Sequence, residues 1–392
     1  MQDLVMNIKT VVGDFAEARV FTVHEPEMQA DPGALGQIRA LCSCPALAGS
    51  RIRIMPDVHA GKLCPIGFTA TFGEQILPML VGIDAGCGVT MVRIDRGLQD
   101  WKRLDRVIRE QVPVGGAIRS RPSSFAGDFS LESLRCCRHI RTERALLSLG
   151  TLGGGNHFIE VDAGEEQIWL AVHSGSRDLG RAVTEHYLTR GQRLLKERGE
   201  DVPYEWTWLE GDAREDYLED LALVQEFASR NRRIMIQEIL KGMKWKAGDE
   251  IECCHNYADF RPEIREALGA PLLRKGAISA CAGEKVIVPV SMGDGIILGE
   301  GLGNVDWNLS APHGSGRIIP RSQVKEHCNV AMFRKRMAGI HCSCIGPGTL
   351  DESPAAYRDL ASIRDALGET VKITAVLRPL YSFKGGSAGV DR

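Results

Sequence analysis

No stretch of this 392-residue chain approaches the ~20 consecutive apolar residues that cross a bilayer. The opening segment, MQDLVMNIKTVVGDF, lacks the basic start and apolar core of a secretory signal. A cytoplasmic protein with no membrane partner is expected. Positive charge is not in excess either: 48 Lys and Arg face 51 Asp and Glu, for a net charge of −3. Nucleic-acid binding would therefore have to use a local basic patch. Neither a P-loop nor a dinucleotide-binding fingerprint occurs, and there is no G-x-S-x-G elbow. Paired catalytic carboxylates do not stand out, and the histidines and cysteines do not follow zinc-finger spacing. No internal repeat or low-complexity linker divides the chain.

With 44% hydrophobic and 25% charged residues, the chain reads as an ordinary soluble globular protein. Its twelve cysteines, in a chain without export signals, are expected to be reduced. Glycine is abundant, at 43 residues, and clusters at 61–67, 82–88, 150–155, 293–303 and 314–316. Between the clusters lie short β-rich runs at 51–56, 88–95, 158–162, 167–173, 284–292 and 372–380. The clearest helix spans about 215–242, with Gly242 as its stop, and others are expected at 33–42, 99–111, 131–148, 178–198 and 354–368. Strands and helices alternate without a βαβ rhythm, which predicts a mixed α+β fold. Candidate ligands run from residue 84 to 313, so one cooperative domain over 1–392 is expected, with 1–50 set apart as an N-terminal segment.

The segment VGIDAGCGV, residues 81–89, places Asp84 and Cys87 on one glycine-punctuated turn. A carboxylate and a thiolate are metal donors of very different softness. His157, His173, His255 and His313 also sit in glycine-rich or polar segments, where rigid backbone can hold donors. HSGSR and PHGSGR each combine backbone N–H groups, hydroxyls and an arginine, Arg177 or Arg317, a mixture suited to phosphate. The residues alone imply a metal-dependent enzyme acting on phosphate groups. Its nucleophile is left open between a histidine, a cysteine and a metal-bound hydroxide.

Nine segments, in order, resemble the RtcB family of RNA ligases: MPDVHAGK, VGIDAGCG, LGTLGGGNHFIE, HSGSR, FASRNR, CHNY, RKGAISA, SMG and HGSGR. The resemblance runs from about residue 50 to Lys384. It implies a single RtcB-like domain of mixed sheets with surrounding helices and an active site on glycine-rich strand-end loops. It also implies a ligase that joins an RNA 3′-phosphate or 2′,3′-cyclic phosphate to a 5′-hydroxyl end, with GTP and two manganese ions, in tRNA splicing or RNA repair. An archease-like activating protein is a further implied partner. By resemblance Asp84, Cys87, His157, His173 and His255 are metal ligands, with Cys87 bridging two ions, and His313 carries GMP as a phosphoramidate. Asn156, Glu160, Ser291 and Gly314 fall beside the nucleotide phosphates and metal, and Tyr357 and Lys384 fall around the guanine. Asp57 belongs to the active centre, and Arg177 and Arg317 suit RNA or nucleotide phosphates.

Val290, Leu63 and Cys64 depart from the family's usual small or polar residues and suggest a divergent paralogue, with Val290 narrowing the pocket. Arg119, Arg121, Arg135, Arg138, Arg141 and Arg144 are candidates for a basic patch, while His341-Cys342-Ser343-Cys344 matches no family ligand. Two other readings stay open. One is a metal-dependent phosphodiesterase or phosphatase on RNA ends, which needs the metals but not His313. The other is a non-catalytic paralogue that binds RNA ends.

Overall fold

The β-rich runs pair into two sheets and a short ribbon in a computed structural model, which describes residues 7–22, 32–61, 64–95 and 100–386. Leu63 lies outside the described residues. The strands begin with β1 (Asn7–Val12), β2 (Glu17–Thr22), β3 (Ile52–His59), β4 (Ile66–Thr71), β5 (Gly88–Ile94), β6 (Phe158–Ala163) and β7 (Ile168–Ser174). They continue as β8 (Ala247–Cys254), β9 (Asn256–Asp259), β10 (Leu272–Lys275), β11 (Ala277–Ser279), β12 (Lys285–Ser291), β13 (Gly295–Gly301), β14 (Ser310–Pro312) and β15 (Val371–Lys384). One sheet has the order β1-β2-β3-β4-β10-β9, the other β12-β13-β15-β6-β7-β5-β8, and β11 pairs with β14.

The larger sheet is buried on both faces, which is why its strands read as apolar runs rather than clean alternations. Val89, Met91, Trp169 and Ala171 pack on one face with Ile287, Ile297 and Ile363. Val92, Ile94, Leu170 and Val172 pack on the other with Leu104, Ile108, Met235 and Ile239. In chain order the helices include α1 (Pro32–Cys42), α2 (Trp101–Gln111), α3 (Thr142–Leu147), α4 (Arg177–Glu197) and α5 (Gly211–Met243); α2 and α5 supply the partners on the second face, and β12, β13 and a later helix, Leu360–Leu367, those on the first.

Three helix expectations are corrected. Gly242 does not stop α5; it lies inside the helix, where a Cβ would meet Val107 at 2.5 Å. The stop is Lys244, in the left-handed region at φ 59°. The helix expected at 131–148 is helical only over Thr142–Leu147, apart from a 3-10 turn at Cys137–His139. Asp220 of α5 accepts the backbone N–H groups of Arg135 (2.6 Å) and Cys136 (3.1 Å), so the segment makes isolated turns around a buried carboxylate instead of a continuous helix. The helix expected at 354–368 starts only at Leu360, where Asp359 accepts from the N–H of Ser362 at 2.9 Å.

Register positions the chemistry. Gly88 faces both Ser174 and Cys254, Phe158 faces His173, and Lys384 faces Phe158. Five neighbouring strands, β8, β5, β7, β6 and β15, therefore end together along one edge of the sheet. No helix among the described residues is long and apolar enough to cross a membrane.

Candidate functional site

The Asp84–Cys87 turn sits at that edge, just before β5. Gly86 takes φ 74° and packs so tightly on α5 that a Cβ would meet Ala228 at 2.7 Å. Its carbonyl accepts from Arg232 of α5 at 2.7 Å, and the same guanidinium donates to the Ser174 carbonyl (2.8 Å) and to Thr90 (3.0 Å). Asn231 beside it accepts the N–H groups of Gly150 (2.7 Å) and Thr151 (3.0 Å) and donates to Ser174 and Gly175. Both side chains are fully buried polar groups inside FASRNR. They clamp the turn, the glycine loop and the end of β7 together.

Two triads of donors share Cys87: Cys87, His173 and His255, and Asp84, Cys87 and His157, each with its donor atoms within 4.8 Å of one another. The Nδ1–H of His157 donates to the Leu152 carbonyl (2.8 Å) and that of His173 to the Asn156 carbonyl (3.1 Å). This leaves each Nε2 as a bare lone pair, the tautomer a metal-ligating histidine needs. His157 Nε2 then faces Asp84 Oδ2 at 3.2 Å and Cys87 Sγ at 3.7 Å, while His173 Nε2 lies 3.2 Å from Cys87 Sγ. His255 Nε2 is buried and without a partner. Burial drives the pKa values of His173 and His255 well down, so both rings are neutral. Burial and the neighbouring Asp84 push the Cys87 thiol well up, so a thiolate there requires a cation. Facing acceptors, an orphaned imidazole and a nitrogen, sulfur and oxygen donor set fit a metal-binding site.

His313 follows β14 and approaches from the opposite side, its ring centroid 5.1 Å from that of His255. Its Nδ1 donates to Oδ2 of Asp57 on β3 at 2.7 Å, and Asp57 is completely buried. The bond fixes the tautomer and leaves His313 Nε2 as the reactive lone pair. His313 and Gly314 open onto a cleft also lined by Asn156, Glu160, His173, His255, Val290, Ser291, Arg317, Tyr357 and Lys384. Val290 lines this cleft, and its carbonyl accepts from Ser315 at 2.6 Å, holding the HGSG loop. Burial pushes the Glu160 carboxyl up to about 7, against the opposing effect of Ser382 and Lys384.

Some expected residues are engaged elsewhere. Arg177 does not line the cleft; it starts α4 at φ 57° and spends its guanidinium on the Gly115 carbonyl (2.7 Å) and Thr151 (3.2 Å). The Ser291 hydroxyl donates to Asp294 at 2.6 Å and caps its own turn. Arg119 donates to the carbonyls of Leu149, Gln111 and Gly150, so it is absent from any basic patch, while Arg135 and Arg144 pair with Glu219 and Asp178. All twelve thiols are free, and Cys344 Sγ accepts from the Lys384 backbone N–H at 3.2 Å. Cys64 is buried, its thiol against the Met79 carbonyl. Sequence reasoning missed Glu352 and Arg321. Glu352 carried a signal, an acidic residue five before Tyr357, but nothing local marks it as buried.

The family model described as "tRNA-splicing ligase RtcB" matches residues 37–135 and 123–385. The "RNA-splicing ligase RtcB" of Escherichia coli strain K12 is 31% identical over 370 residues, 85% of this chain and 90% of the relative. An Escherichia coli "RNA-splicing ligase RtcB2" is 27% identical over 403 residues, 94% of this chain and 97% of its own length. The "tRNA-splicing ligase RtcB" of Nanoarchaeum equitans is 25% identical over 418 residues, covering 85% and 87%. The motifs that place a histidine, cysteine and carboxylate edge opposite His313 thus stand in a match that covers most of the chain, and the chain belongs to the RtcB family of ligases.

Proposed function

We propose that this protein joins an RNA 3′-phosphate or 2′,3′-cyclic phosphate end to a 5′-hydroxyl end, using GTP and two divalent cations, manganese by analogy with the family. The observation that carries the reading is the Asp57–His313 pair set into a cleft that adjoins two donor triads. His313 Nε2 attacks the α-phosphorus of GTP; a P–N bond forms and pyrophosphate leaves. GMP then passes to the RNA 3′-phosphate, and the 5′-hydroxyl displaces it as the new phosphodiester forms. A cyclic phosphate is first opened to a 3′-phosphate by water. Bound cations would neutralise phosphate charge and polarise the reacting oxygens.

Within this scheme Asp57 orients the imidazole and stabilises the charge it acquires. Asp84, Cys87, His157, His173 and His255 would hold the cations. Arg317, Arg321 and Lys384 supply positive charge to the cleft wall, and the Tyr357 ring gives the base a flat neighbour. The thiolate and imidazoles also suit zinc, so zinc is expected to compete with manganese.

The test uses GTP labelled on the α-phosphate, with manganese. An acid-labile protein adduct that His313→Ala abolishes supports the ligase. Opening of a cyclic phosphate without any adduct would make the protein a phosphodiesterase instead. Neither adduct nor turnover would leave a protein that only binds RNA ends.

A further inference from the structure

Four side chains of the cleft wall converge on one carboxylate behind it. Glu352 closes the 3-10 turn Pro347–Glu352 and is 2% exposed. Its Oε2 accepts from the Tyr357 hydroxyl at 2.7 Å and from the Lys384 ammonium. Its Oε1 accepts from Arg321 at 2.7 Å and from Arg317 at 3.4 Å. All four donors line the cleft, and Glu352 itself does not. A buried carboxylate survives only when its lone pairs are filled by donors, and removing such a partner leaves the opposing charges uncompensated.

The geometry restricts what each donor can offer a ligand. The Tyr357 hydroxyl gives its hydrogen to Glu352 and accepts from Arg317 at 2.9 Å, so its hydrogen is not available to a base. Lys384 keeps two of its three N–H bonds. Arg321 is anchored through one Nη, with the other held by Asp351 at 3.3 Å, and a Cβ on Gly155 would come 3.1 Å from its Nη1. Arg321 therefore reaches across to the loop that carries Asn156 and His157. Arg317, Arg321 and Lys384 share the buried Glu352, and Asp351 gives Arg321 a second carboxylate, so among these groups positive charge remains in excess at the cleft wall. Without Glu352 these long side chains would repel one another and spread over many rotamers.

We propose that Glu352 is a positioning residue for nucleotide binding. It holds Lys384, Arg321 and the Tyr357 ring in the orientation that receives the nucleotide, and it acts on affinity rather than on attack by His313. The inference rests on the reading that this cleft takes GTP. Chemistry takes place at His313, held by Asp57, and Glu352 touches neither residue. Loss of its charge should therefore separate binding from rate.

Adduct formation is measured against GTP concentration in wild type, Glu352→Gln and Glu352→Asp, each checked for wild-type circular dichroism. Glutamine removes the charge at constant volume; aspartate keeps the charge but shortens its reach. For Glu352→Gln the GTP concentration at half-maximal rate should rise about tenfold, with the maximal rate within about threefold. Glu352→Asp should fall between the two and supplies the answer if the glutamine variant does not fold. An unchanged half-maximal concentration in the folded variants, or a lost maximal rate with that concentration unchanged, overturns the proposal while the ligase reading stands. No adduct from wild type at any GTP concentration means that the ligase reading itself has failed and takes this proposal with it.

Discussion

Asp57 and His313, 256 residues apart in the chain, are joined by a 2.7 Å hydrogen bond between a completely buried carboxylate and a ring that opens onto the cleft. The bond sets which imidazole nitrogen is free. Asp57→Asn preserves shape but can donate to Nδ1, which favours the wrong tautomer. Guanylylation of His313 should slow by about 10²–10⁴-fold, the range for an imidazole held in the wrong tautomer. Single-turnover labelling with α-phosphate-labelled GTP measures the rate, and a thermal melt shows whether the fold survives.

Cys87 belongs to both donor triads, so its loss should affect both cation positions at once. Cys87→Ala is expected to abolish guanylylation and to lower bound manganese or zinc from two equivalents to one or none. Elemental analysis after equilibrium dialysis gives the stoichiometry independently of activity. Retention of two equivalents, or of guanylylation, would show that this turn does not hold the cations.

Arg232 should matter for stability and for the site together. It is 1% exposed, pairs with Glu252 at 2.6 Å and tethers the Gly86 and Ser174 carbonyls. Arg232→Met strands these acceptors and should cost about 3–5 kcal/mol in urea denaturation. Arg233 also pairs with Glu252, at 3.1 Å, but it makes no bond to Gly86 or Ser174, so cation affinity should fall as well.

Glu160 predicts an inverted pH dependence in chelator-treated protein. Burial raises its carboxyl from 4.5 to about 7, so the folded state binds the proton more tightly than the unfolded chain. Its contribution is complete below about pH 4.5 and is lost as pH rises through 7. Asp162, completely buried with both oxygens unpartnered, is shifted the same way by burial and then by Glu160. Denaturant midpoints should therefore be higher at pH 5.5 than at pH 8. Glu160→Gln should reduce the difference, and an equal difference in that variant would assign it to other groups.

The strands were legible because glycine and proline bracket short β-branched runs; β5, β7 and β12 lie within a residue or two of their expected spans. The donor residues were legible as residue types in unusual settings. Their convergence was not, because it depends on strand register: His173 and Phe158 are opposed across β6 and β7, and no local pattern encodes that pairing. The turn at 131–141 was misread as helix because Asp220, some 80 residues away, supplies the bonds that the segment does not make itself. Arg177 and Ser291 match the family's motifs, yet their hydrogen-bonding groups are taken up by neighbours that only the fold reveals.

β15 has a consequence for the protein's birth. It is the last strand in chain order among the described residues, yet it sits inside the larger sheet, between β13 and β6, and it carries Lys384. A nascent chain that has not yet released residues 371–384 has a gap in the middle of that sheet and lacks one wall of the cleft. Such a chain can own both donor triads and His313 and still lack the strand that completes the cleft.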